Sequence, residues 1–260
     1  MIVVTVINDI KHFSFNLLRL SCALNNLKLV VLLSTEERFY NMHFKDQLLE
    51  KYLQDIDDEE LILFTDGNDA VFMSDEEEII QKFQFLGGGI IFSAETRCWP
   101  DQRLSNDCLV NNNSPYRFLN SGGFIGRADA IREFLNDKDY DLKDYPNSNQ
   151  YLWTKRYIRH SDKISIDFNC EIFCTFSTEL GNAFPPTNDE ATQVYYYEFI
   201  KSWFCENFII IDNRIINKTT GTRPCHAHFN GHSKYLMDDD IINLVYSKIK
   251  GVKEAEFYSD

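Results

Sequence analysis

The sequence lacks any apolar run long enough to cross a membrane, for which about 18 residues are needed. The opening segment Met1–Ile7 is apolar, but Asn8 and Asp9 follow it at once. It has neither the basic flank nor the small-residue cleavage site of a signal peptide. We therefore expect a buried first strand here, and neither a membrane span nor a secretory signal.

Basic residues are few. The chain has 26 Lys and Arg against 40 Asp and Glu, so its net charge is −14. Phosphate backbones would be repelled by such a surface, and no basic stripe interrupts it. This composition excludes nucleic acid as an expected partner.

The sequence also lacks the Cys-x-x-Cys motif. There are seven cysteines, an odd number. This argues against a structural zinc site and against a compact disulfide framework. We expect most of them to be buried, reduced thiols.

The first half of the chain alternates between strand-like and helix-like patterns. Internal repeats, linkers and low-complexity tracts are absent, so residues 1–260 are predicted to form one domain. Strand followed by helix, repeated in this way, predicts an α/β fold with a mostly parallel, doubly wound sheet. The predicted strands are Val3–Ile7, Leu27–Leu33, Leu61–Phe64 and Gly89–Ser93, and the predicted helices are Phe15–Asn25, Phe44–Gln54 and Asp75–Phe85.

The second half of the chain is less regular. It opens with a long predicted loop, and long loops in compact domains are often functional. The predicted elements are the loop Thr96–Tyr116, the strands Arg117–Arg127, Lys163–Phe168, Glu171–Phe176 and Phe208–Asn217, and the helices Asn149–Arg159 and Asp238–Ile249.

A first candidate site is the run Asp66-Gly67-Asn68-Asp69, directly after an apolar strand. In open α/β sheets ligands bind beyond the carboxyl ends of strands, and two carboxylates there could hold a divalent cation. The same residues are also favourable for a simple turn.

A second candidate is the histidine-rich run from Cys225 to Lys234. Neutral imidazole is a common ligand for transition metals. The turn at Asn230-Gly231 could present its amides to phosphate, and Lys234 could add a positive charge. Two carboxylates, one imidazole and diphosphate oxygens would suit an octahedral Mn²⁺ ion. An unremarkable turn is the alternative.

Two further runs are candidate sites, one because of its paired glycines and the other because of its tryptophan. Gly122 and Gly123 interrupt the strand Arg117–Arg127, which indicates either a close approach to the backbone or a bulge. Trp99 follows a predicted strand in the run Phe92–Pro100. Its ring could stack on a sugar or fill the core.

Taken in order, the runs TDGNDAVF, GGIIFSAETRCWP, RFLNSGGFIGRA and HFNGHSK resemble the glycosyltransferase domain of the collagen lysyl hydroxylase family. The resemblance extends from about Ile2 to Lys234. It implies a GT-A (Rossmann-like) fold that uses UDP-sugars with Mn²⁺. It also implies that the metal ligands are Asp66, Asp69 and His228.

The resemblance implies a set of donor-binding positions as well. Most of them lie in strands or in the segments that follow strands, whereas Lys45 lies in the predicted helix Phe44–Gln54. They are Val6, Asn8, Lys45, Asp66, Asn68, Trp99, Asn120, Asn230, Gly231 and Lys234.

The chain departs from the family pattern before Gln150. Family members often carry an aspartate run there, whereas this chain has Pro146-Asn-Ser-Asn149. Asp141 and Asp144 lie just upstream and could substitute. An aromatic residue between the two metal aspartates is replaced by Asn68. The candidate catalytic residues are Glu95, Asp144, Asn149 and Gln150.

The resemblance implies transfer of glucose from UDP-glucose to galactosyl-hydroxylysine in a collagen-like polypeptide, with retention. Galactosylation of hydroxylysine, which is inverting and needs a general base, is one alternative. An inactive sugar-binding or collagen-binding module is another.

Too little chain follows the last matching run for the His-x-Asp iron site of a hydroxylase, so we expect a stand-alone transferase. The Asn-rich and Ile-rich composition is typical of an AT-rich genome and favours a giant-virus origin. The cytoplasm, for instance of a virus-infected host cell, is then favoured over the ER lumen. Nothing in the sequence indicates the oligomeric state.

Overall fold

The computed structural model describes residues 1–35, 42–108, 113–176 and 189–237. Helices and strands alternate through the first of these ranges, as the sequence predicts. The α-helices in the described residues are α1 Phe13–Leu24, α2 His43–Leu53, α3 Glu76–Phe85, α4 Ala128–Asn136, α5 Asn149–Arg159 and α6 Glu190–Asn207.

The strands belong to one large sheet, one three-stranded sheet and one hairpin. Short 3₁₀ helices at Gln102–Asn106 and Gly231–Met237 supplement them. The strands are β1 Ile2–Ile7, β2 Leu29–Leu33, β3 Leu61–Asp66, β4 Ala70–Phe72, β5 Ile90–Glu95, β6 Phe118–Arg127, β7 Ile164–Asp167, β8 Phe173–Thr175, β9 Phe208–Ile211, β10 Arg214–Asn217 and β11 His226–His228.

The large sheet has the order β2-β1-β3-β6-β5-β7. Strand β1 is parallel to β2 and β3, and β5 is parallel to β7. Strand β6 is antiparallel to both of its neighbours. The prediction of a mostly parallel sheet is therefore confirmed, with β6 as its antiparallel member.

Helices cover both faces of this sheet, which is why its central strands are apolar on both sides. On one face α1 and α3 bury residues such as Phe15 and Ile79. On the other, α2, α4 and α5 bury Leu49, Phe134 and Trp153. This layering leaves the carboxyl ends of the parallel strands as the free edge where a ligand site can form.

The three-stranded sheet has the order β4-β11-β8 and lies beside that edge. Strand β11 is antiparallel to β4 and parallel to β8. Its buried run His226-Ala227-His228 is thereby held between two strands. The histidine-rich segment is thus a strand followed by a 3₁₀ helix, and not only a turn.

Two strands and two α-helices were not predicted from the sequence, namely β4, β11, α4 and α6. Helix α4 follows β6 directly, and its N-cap residue Arg127 makes no side-chain capping bond, so no start signal separates the two elements. Helix α6 leaves Val194 and Tyr195 exposed, which weakens the helical pattern of its apolar residues.

The prediction of one strand over Phe208–Asn217 is wrong, because this segment is the hairpin β9–β10. Asp212 and Asn213 turn the chain with φ angles of 50° and 58°. Two successive residues with positive φ are the requirement of the tightest hairpin turns, and Asp and Asn tolerate it.

Other predictions have mixed outcomes. All seven cysteines are free, and every one except Cys205 is buried. Within the described residues no helix is both long and apolar enough to span a membrane. The predicted closing helix Asp238–Ile249 lies outside the described residues, as do residues 109–112 of the predicted loop.

Candidate functional site

Asp66, Asp69 and His228 form a compact cluster at the edge of the large sheet. One ligand atom from each residue lies within 4.8 Å of the others. His228 Nε2 is 3.4 Å from Asp69 Oδ1 and 3.8 Å from Asp66 Oδ2. Within the described residues this is the only group of three such side chains with metal-binding spacing.

Strand pairing brings these distant residues together. Asp66 ends β3, and Asp69 immediately precedes β4. Strand β11 pairs with β4 so that His228 lies opposite Ala70, and Phe229 N donates to Asp69 O at 2.6 Å. The histidine therefore reaches the aspartates through a ladder of backbone hydrogen bonds.

The imidazole of His228 is oriented by Asn120. His228 Nδ1 lies 3.2 Å from Asn120 Oδ1, while its buried Nε2 has no hydrogen-bond partner and faces the two carboxylates. A ligating histidine normally bonds through its other nitrogen to a polar group that fixes the ring. The donor set and this unpartnered nitrogen fit a divalent metal with mixed nitrogen and oxygen ligands.

Two lysines flank the cluster. Lys45 Nζ lies 2.5 Å from Asp66 Oδ1, and Lys234 Nζ lies 2.9 Å from Asp69 Oδ2. Each of the two carboxylates therefore has a cation beside it. The two lysines therefore offset the negative charge of the two carboxylates in the cluster.

The charges in the cluster shift one another's pKa values. Burial favours neutral Asp69, but His228 and Lys234 outweigh it, so the pKa of Asp69 is well below its usual range. Burial likewise disfavours the charged imidazole, yet Asp69 and Asp66 raise the pKa of His228. A metal ion would have to replace the proton on this histidine, because only the neutral ring is a ligand.

The paired glycines of β6 make room for both histidines of β11. A Cβ on Gly122 would lie 2.2 Å from His228 Cε1, and one on Gly123 would lie 3.4 Å from His226 Cε1. The pairing with β5 also shifts its register between Phe92 and Ser93. The structure therefore contains both alternatives considered for these glycines, a close approach and a bulge.

Glu95 is the last residue of β5, and side-chain amides surround its carboxyl group. Gln150 Nε2 donates to Oε1 at 2.5 Å, and Asn230 Nδ2 donates to Oε2 at 3.3 Å. Burial raises the pKa of Glu95 to about 7, although these donors and Asn120 oppose that rise. A carboxyl group that titrates near neutral pH has the property expected of a general acid or base.

These groups line one pocket of about 580 Å³. Trp99 forms part of its wall with a ring that is 51% exposed, so it does not fill the core. The predicted site residues in the lining are Lys45, Asp66, Asp69, Glu95, Trp99, Asn120, Asn149, Gln150, His228, Asn230, Gly231 and Lys234.

Other predicted site residues are not part of this lining. Val6 is buried within β1, and Asn8 and Asn68 are only partly buried. Asp144 is 55% exposed and pairs with Arg103, which also binds Asp101. The structure therefore does not bring Asp144 to Glu95 as a substitute for the missing aspartates.

The lining also includes residues that the sequence analysis did not select. Arg97, Gln102 and His232 contribute to the wall, as do Met42 and Ser121. Arg97 lies between Glu95 and Trp99 in the sequence, so its position was the one clue available. Asp46 was also not selected. It does not line the pocket, but its Oδ1 accepts a hydrogen bond from Asn149, which does.

A protein-family model described as the PLOD GT domain matches residues 1–202. The chain belongs to this family. The α/β architecture and mostly parallel sheet of this PLOD GT domain are those of the GT-A glycosyltransferase fold expected from the resemblance. His228 and Lys234 lie beyond the matched residues, so their place in the site rests on the geometry alone.

Relatives of this PLOD GT domain occur in viruses and animals. An uncharacterized protein of Acanthamoeba polyphaga mimivirus is 31% identical over 189 residues, 72% of this chain and 34% of that protein. A procollagen-lysine,2-oxoglutarate 5-dioxygenase of Drosophila melanogaster is 36% identical over 114 residues, 44% of this chain and 15% of the enzyme. The chain spans about a third or less of the length of these relatives.

Two solved glycosyltransferase structures resemble this chain in fold, with low sequence identity. A glycosyltransferase involved in glycosylation of the major capsid of PBCV-1 has a TM-score of 0.48 at 11% identity, covering 90% of this chain and 95% of the other. The galactosyltransferase LgtC, in complex with donor and acceptor sugar analogs, has a TM-score of 0.47 at 11% identity, with coverage of 96% and 99%. At these scores neither likeness adds to the family assignment.

Proposed function

We propose that this chain is a metal-dependent hexosyltransferase that takes glucose from UDP-glucose and transfers it to galactosyl-hydroxylysine in collagen-like polypeptides. One observation carries the proposal. The cluster of Asp66, Asp69 and His228 opens into a pocket that also contains two lysines, an exposed tryptophan and a carboxyl group with a raised pKa.

Asp66, Asp69 and His228 would hold the metal, for which Mn²⁺ is our proposal because the ligands mix nitrogen and oxygen. When bound, the metal supplies Lewis-acid stabilisation of the departing UDP. His228 is then a ligand and not a base. Asn120 keeps its ring in place through the 3.2 Å contact with Nδ1.

The donor diphosphate would be held by Lys45, Lys234 and the turn at Asn230-Gly231. Gly231 has a φ of 65°, a conformation that glycine adopts without strain. It begins the 3₁₀ helix that carries Lys234. Both lysines already face the carboxylates of the cluster, so they need little rearrangement to contact a metal-bound diphosphate.

The sugar of the donor would lie against Trp99 and Asn120. Trp99 presents a large exposed ring face at the pocket wall, and such faces pack well against the apolar face of a hexose. Gln150 stabilises this wall because its Nε2 donates to Trp99 O at 3.0 Å as well as to Glu95.

Glucose transfer would retain the α configuration of the donor. No carboxylate other than Asp66, Asp69 and Glu95 is among the described residues that line the pocket, so a nucleophile is not evident. A front-face reaction fits this composition. The acceptor hydroxyl would then give its proton to the departing diphosphate, with Asn149 and Gln150 orienting the reacting groups.

A second candidate is galactosylation of hydroxylysine itself, which inverts the configuration and needs a general base. The raised pKa of Glu95 favours this candidate, because a carboxylate that titrates at about 7 accepts a proton efficiently near neutral pH. Glu95 would take the proton of the hydroxylysine hydroxyl as its oxygen bonds to the sugar and UDP leaves. Asp144 is the weaker choice, since it is paired with Arg103.

The partners of this proposal are UDP-glucose and a hydroxylysine-containing, collagen-like polypeptide, with no nucleic acid. That residues 1–260 form a single glycosyltransferase domain stays a prediction. The viral relative is consistent with a viral origin, which also stays a prediction.

The decisive experiment is a donor screen in the presence of Mn²⁺. UDP-glucose and UDP-galactose are each offered with deglucosylated collagen peptide and with unglycosylated hydroxylysine peptide, and products are read by mass spectrometry. Glucose addition to the galactosylated peptide is the expected result. Galactose addition to free hydroxylysine would select the second candidate. No product and no UDP release would indicate an inactive binding module.

Asp69→Ala removes one of the proposed metal ligands, and it should abolish transfer in this screen. Asp162→Ala is its control, because Asp162 is exposed and is not part of the pocket lining. Normal turnover by Asp69→Ala at saturating donor would contradict the metal-site proposal.

A further inference from the structure

Asp46 is a buried carboxyl group at the contact between α2 and α5. It is only 9% exposed. Its Oδ1 accepts hydrogen bonds from Asn149 Nδ2 at 3.3 Å and from Trp153 Nε1 at 3.2 Å. One side chain of α2 therefore receives two donors from successive turns of α5.

Each helix also carries a group that faces the pocket. On α2, Lys45 immediately precedes Asp46 and pairs with Asp66 of the metal cluster. On α5, Asn149 lines the pocket, and Gln150 bonds both to Glu95 and to the backbone of Trp99. Asp46 thus links the helix that carries Lys45, the partner of Asp66, to the helix that carries Gln150, the partner of Glu95.

The charge of Asp46 has a buried counterpart in Arg156. This guanidinium is 1% exposed, lies 4.3 Å from the ring centroid of Trp153 and donates to Asp137 O at 2.8 Å. Burial raises the pKa of Asp46 and lowers the pKa of Arg156, and the Coulomb attraction between the two groups opposes both shifts. A buried cation without such a counter-charge would be strongly unfavourable.

Several buried polar atoms around this pair have no protein partner. They are Asp46 Oδ2, Arg156 Nε and Arg156 Nη1. Buried polar groups of this kind are usually served by ordered water. The contact between α2 and α5 is therefore polar, and the directional hydrogen bonds from Asn149 and Trp153 to Asp46 specify the separation of the two helices more narrowly than an apolar contact would.

We propose that Asp46 is a positioning residue for the transfer reaction. It fixes α2 against α5, so that Lys45 stays at Asp66, Gln150 stays at Glu95 and Asn149 keeps its place in the pocket wall. The inference rests on the proposed function, because transfer is the reaction whose geometry is being held. Asp46 itself has no contact with a reacting group.

A purely structural role makes a different prediction. If Asp46 only neutralises Arg156, then removing both charges together should leave a normal enzyme, whichever uncharged residue replaces Asp46. If Asp46 positions α5 through its hydrogen bonds, the replacement must still offer an acceptor to Asn149 and Trp153. Two double variants separate these roles.

The first double variant is Asp46→Asn with Arg156→Met, which removes both charges but keeps an acceptor oxygen. The second is Asp46→Leu with Arg156→Met, which removes both charges and the acceptor. We expect both to unfold at similar temperatures in thermal melts. The asparagine pair should keep kcat within about threefold of wild type, whereas the leucine pair should lose roughly 10- to 100-fold in kcat, the scale expected for a small misplacement of reacting groups.

The result that overturns the proposal is equal kcat for the two folded double variants. An increase in KM alone, with kcat unchanged in the leucine pair, would also overturn the proposal, because the positioning role acts on the reacting geometry. If the leucine pair does not fold, Asp46→Ala with Arg156→Met replaces it, since water can then occupy the vacated volume.

A binding measurement keeps this test separate from that of the proposed function. If wild-type protein binds Mn²⁺ and UDP in calorimetry but transfers no hexose to either collagen peptide, the proposed function fails. The inference is then judged on UDP affinity, through the position of Lys45. The leucine pair should bind UDP roughly 10-fold more weakly than the asparagine pair, and equal affinities would reject the role of Asp46.

Discussion

His228 packs directly against the backbone of Gly122, with its Cε1 only 2.2 Å from the position a Cβ would take. The side chain of every residue other than glycine would therefore collide with the imidazole. The same ring is held from its Nδ1 side by Asn120, two residues earlier in β6. One strand thus both supports and accommodates the proposed metal ligand.

Gly122→Ala should weaken metal binding without unfolding the protein. The added methyl group would displace the His228 ring from the carboxylates, and disturbing the support of a ligand typically costs 10- to 100-fold in metal affinity. Titration calorimetry with Mn²⁺ measures the effect. Gly88→Ala is the control, because a Cβ there meets nothing within 4 Å and its positive φ costs stability alone. Unchanged affinity in Gly122→Ala would contradict the assignment of His228.

Manganese should support transfer better than magnesium or calcium. The cluster offers one imidazole nitrogen with two carboxylates, whereas Mg²⁺ and Ca²⁺ prefer all-oxygen ligands. Activity is measured after treatment with EDTA and addition of each metal at equal free concentration. Transfer that persists unchanged in EDTA would rule out a metal-dependent reaction.

Transfer should depend on the ionisation of Glu95 if this residue is a general base. Its raised pKa predicts that kcat rises as the pH increases through about 7, where the carboxyl group loses its proton. Glu95→Gln should remove this limb of the profile and lower kcat by roughly 100-fold or more. A profile that stays flat through neutral pH in wild type would favour the front-face reaction instead.

The same raised pKa has a cost in stability. Glu95 holds its proton more tightly in the folded state than in the unfolded state. At low pH this raised pKa therefore stabilises the folded protein. That contribution is lost as the pH rises from the unfolded pKa, about 4.3, through the folded value of about 7. Above pH 7, Glu95→Gln should therefore unfold at a higher temperature than wild type, and a lower melting temperature there would contradict this reasoning.

Asp144→Asn should leave transfer nearly unchanged. The carboxylate pairs with Arg103 at an exposed position and is not part of the pocket lining. Exposed pairs of this kind contribute only about 0.2–1 kcal/mol. Steady-state kcat and KM are compared with those of Glu95→Gln. A loss of activity as large as that of Glu95→Gln would restore Asp144 as a catalytic candidate.

Local pattern was enough to predict most of the large sheet, and the family resemblance was needed to select the residues of the cluster. Strand β3 ends in Asp66 because an apolar run is followed by turn residues, and that signal is readable in the sequence. His228 was selected by residue type and family resemblance. Local pattern could not predict that His228 lies next to Asp69. This proximity depends on pairing between β4 and β11, which are about 155 residues apart in the sequence.

The pairing of Asp144 with Arg103 and the burial of Asp46 could not be predicted from local pattern either. Asp144 looked available because it lies near the missing aspartates, but its pairing with Arg103 depends on the folded course of the loop around Asp101. Asp46 falls within the predicted helix Phe44–Gln54, but nothing in that pattern indicates that its carboxyl group is buried. Only the packing of α5 against α2 buries it.

The metal cluster takes two ligands from the chain around β3 and β4 and one from the end of β11, so it joins the large sheet to the small one. A ligand that binds only this closed arrangement must oppose local opening of the small sheet. The backbone amides of His226, Phe176 and Phe229, which bond to Ile172, His228 and Asp69, report that opening. Their hydrogen exchange should therefore slow when Mn²⁺ and UDP are added, while exchange in the β9–β10 hairpin stays the same.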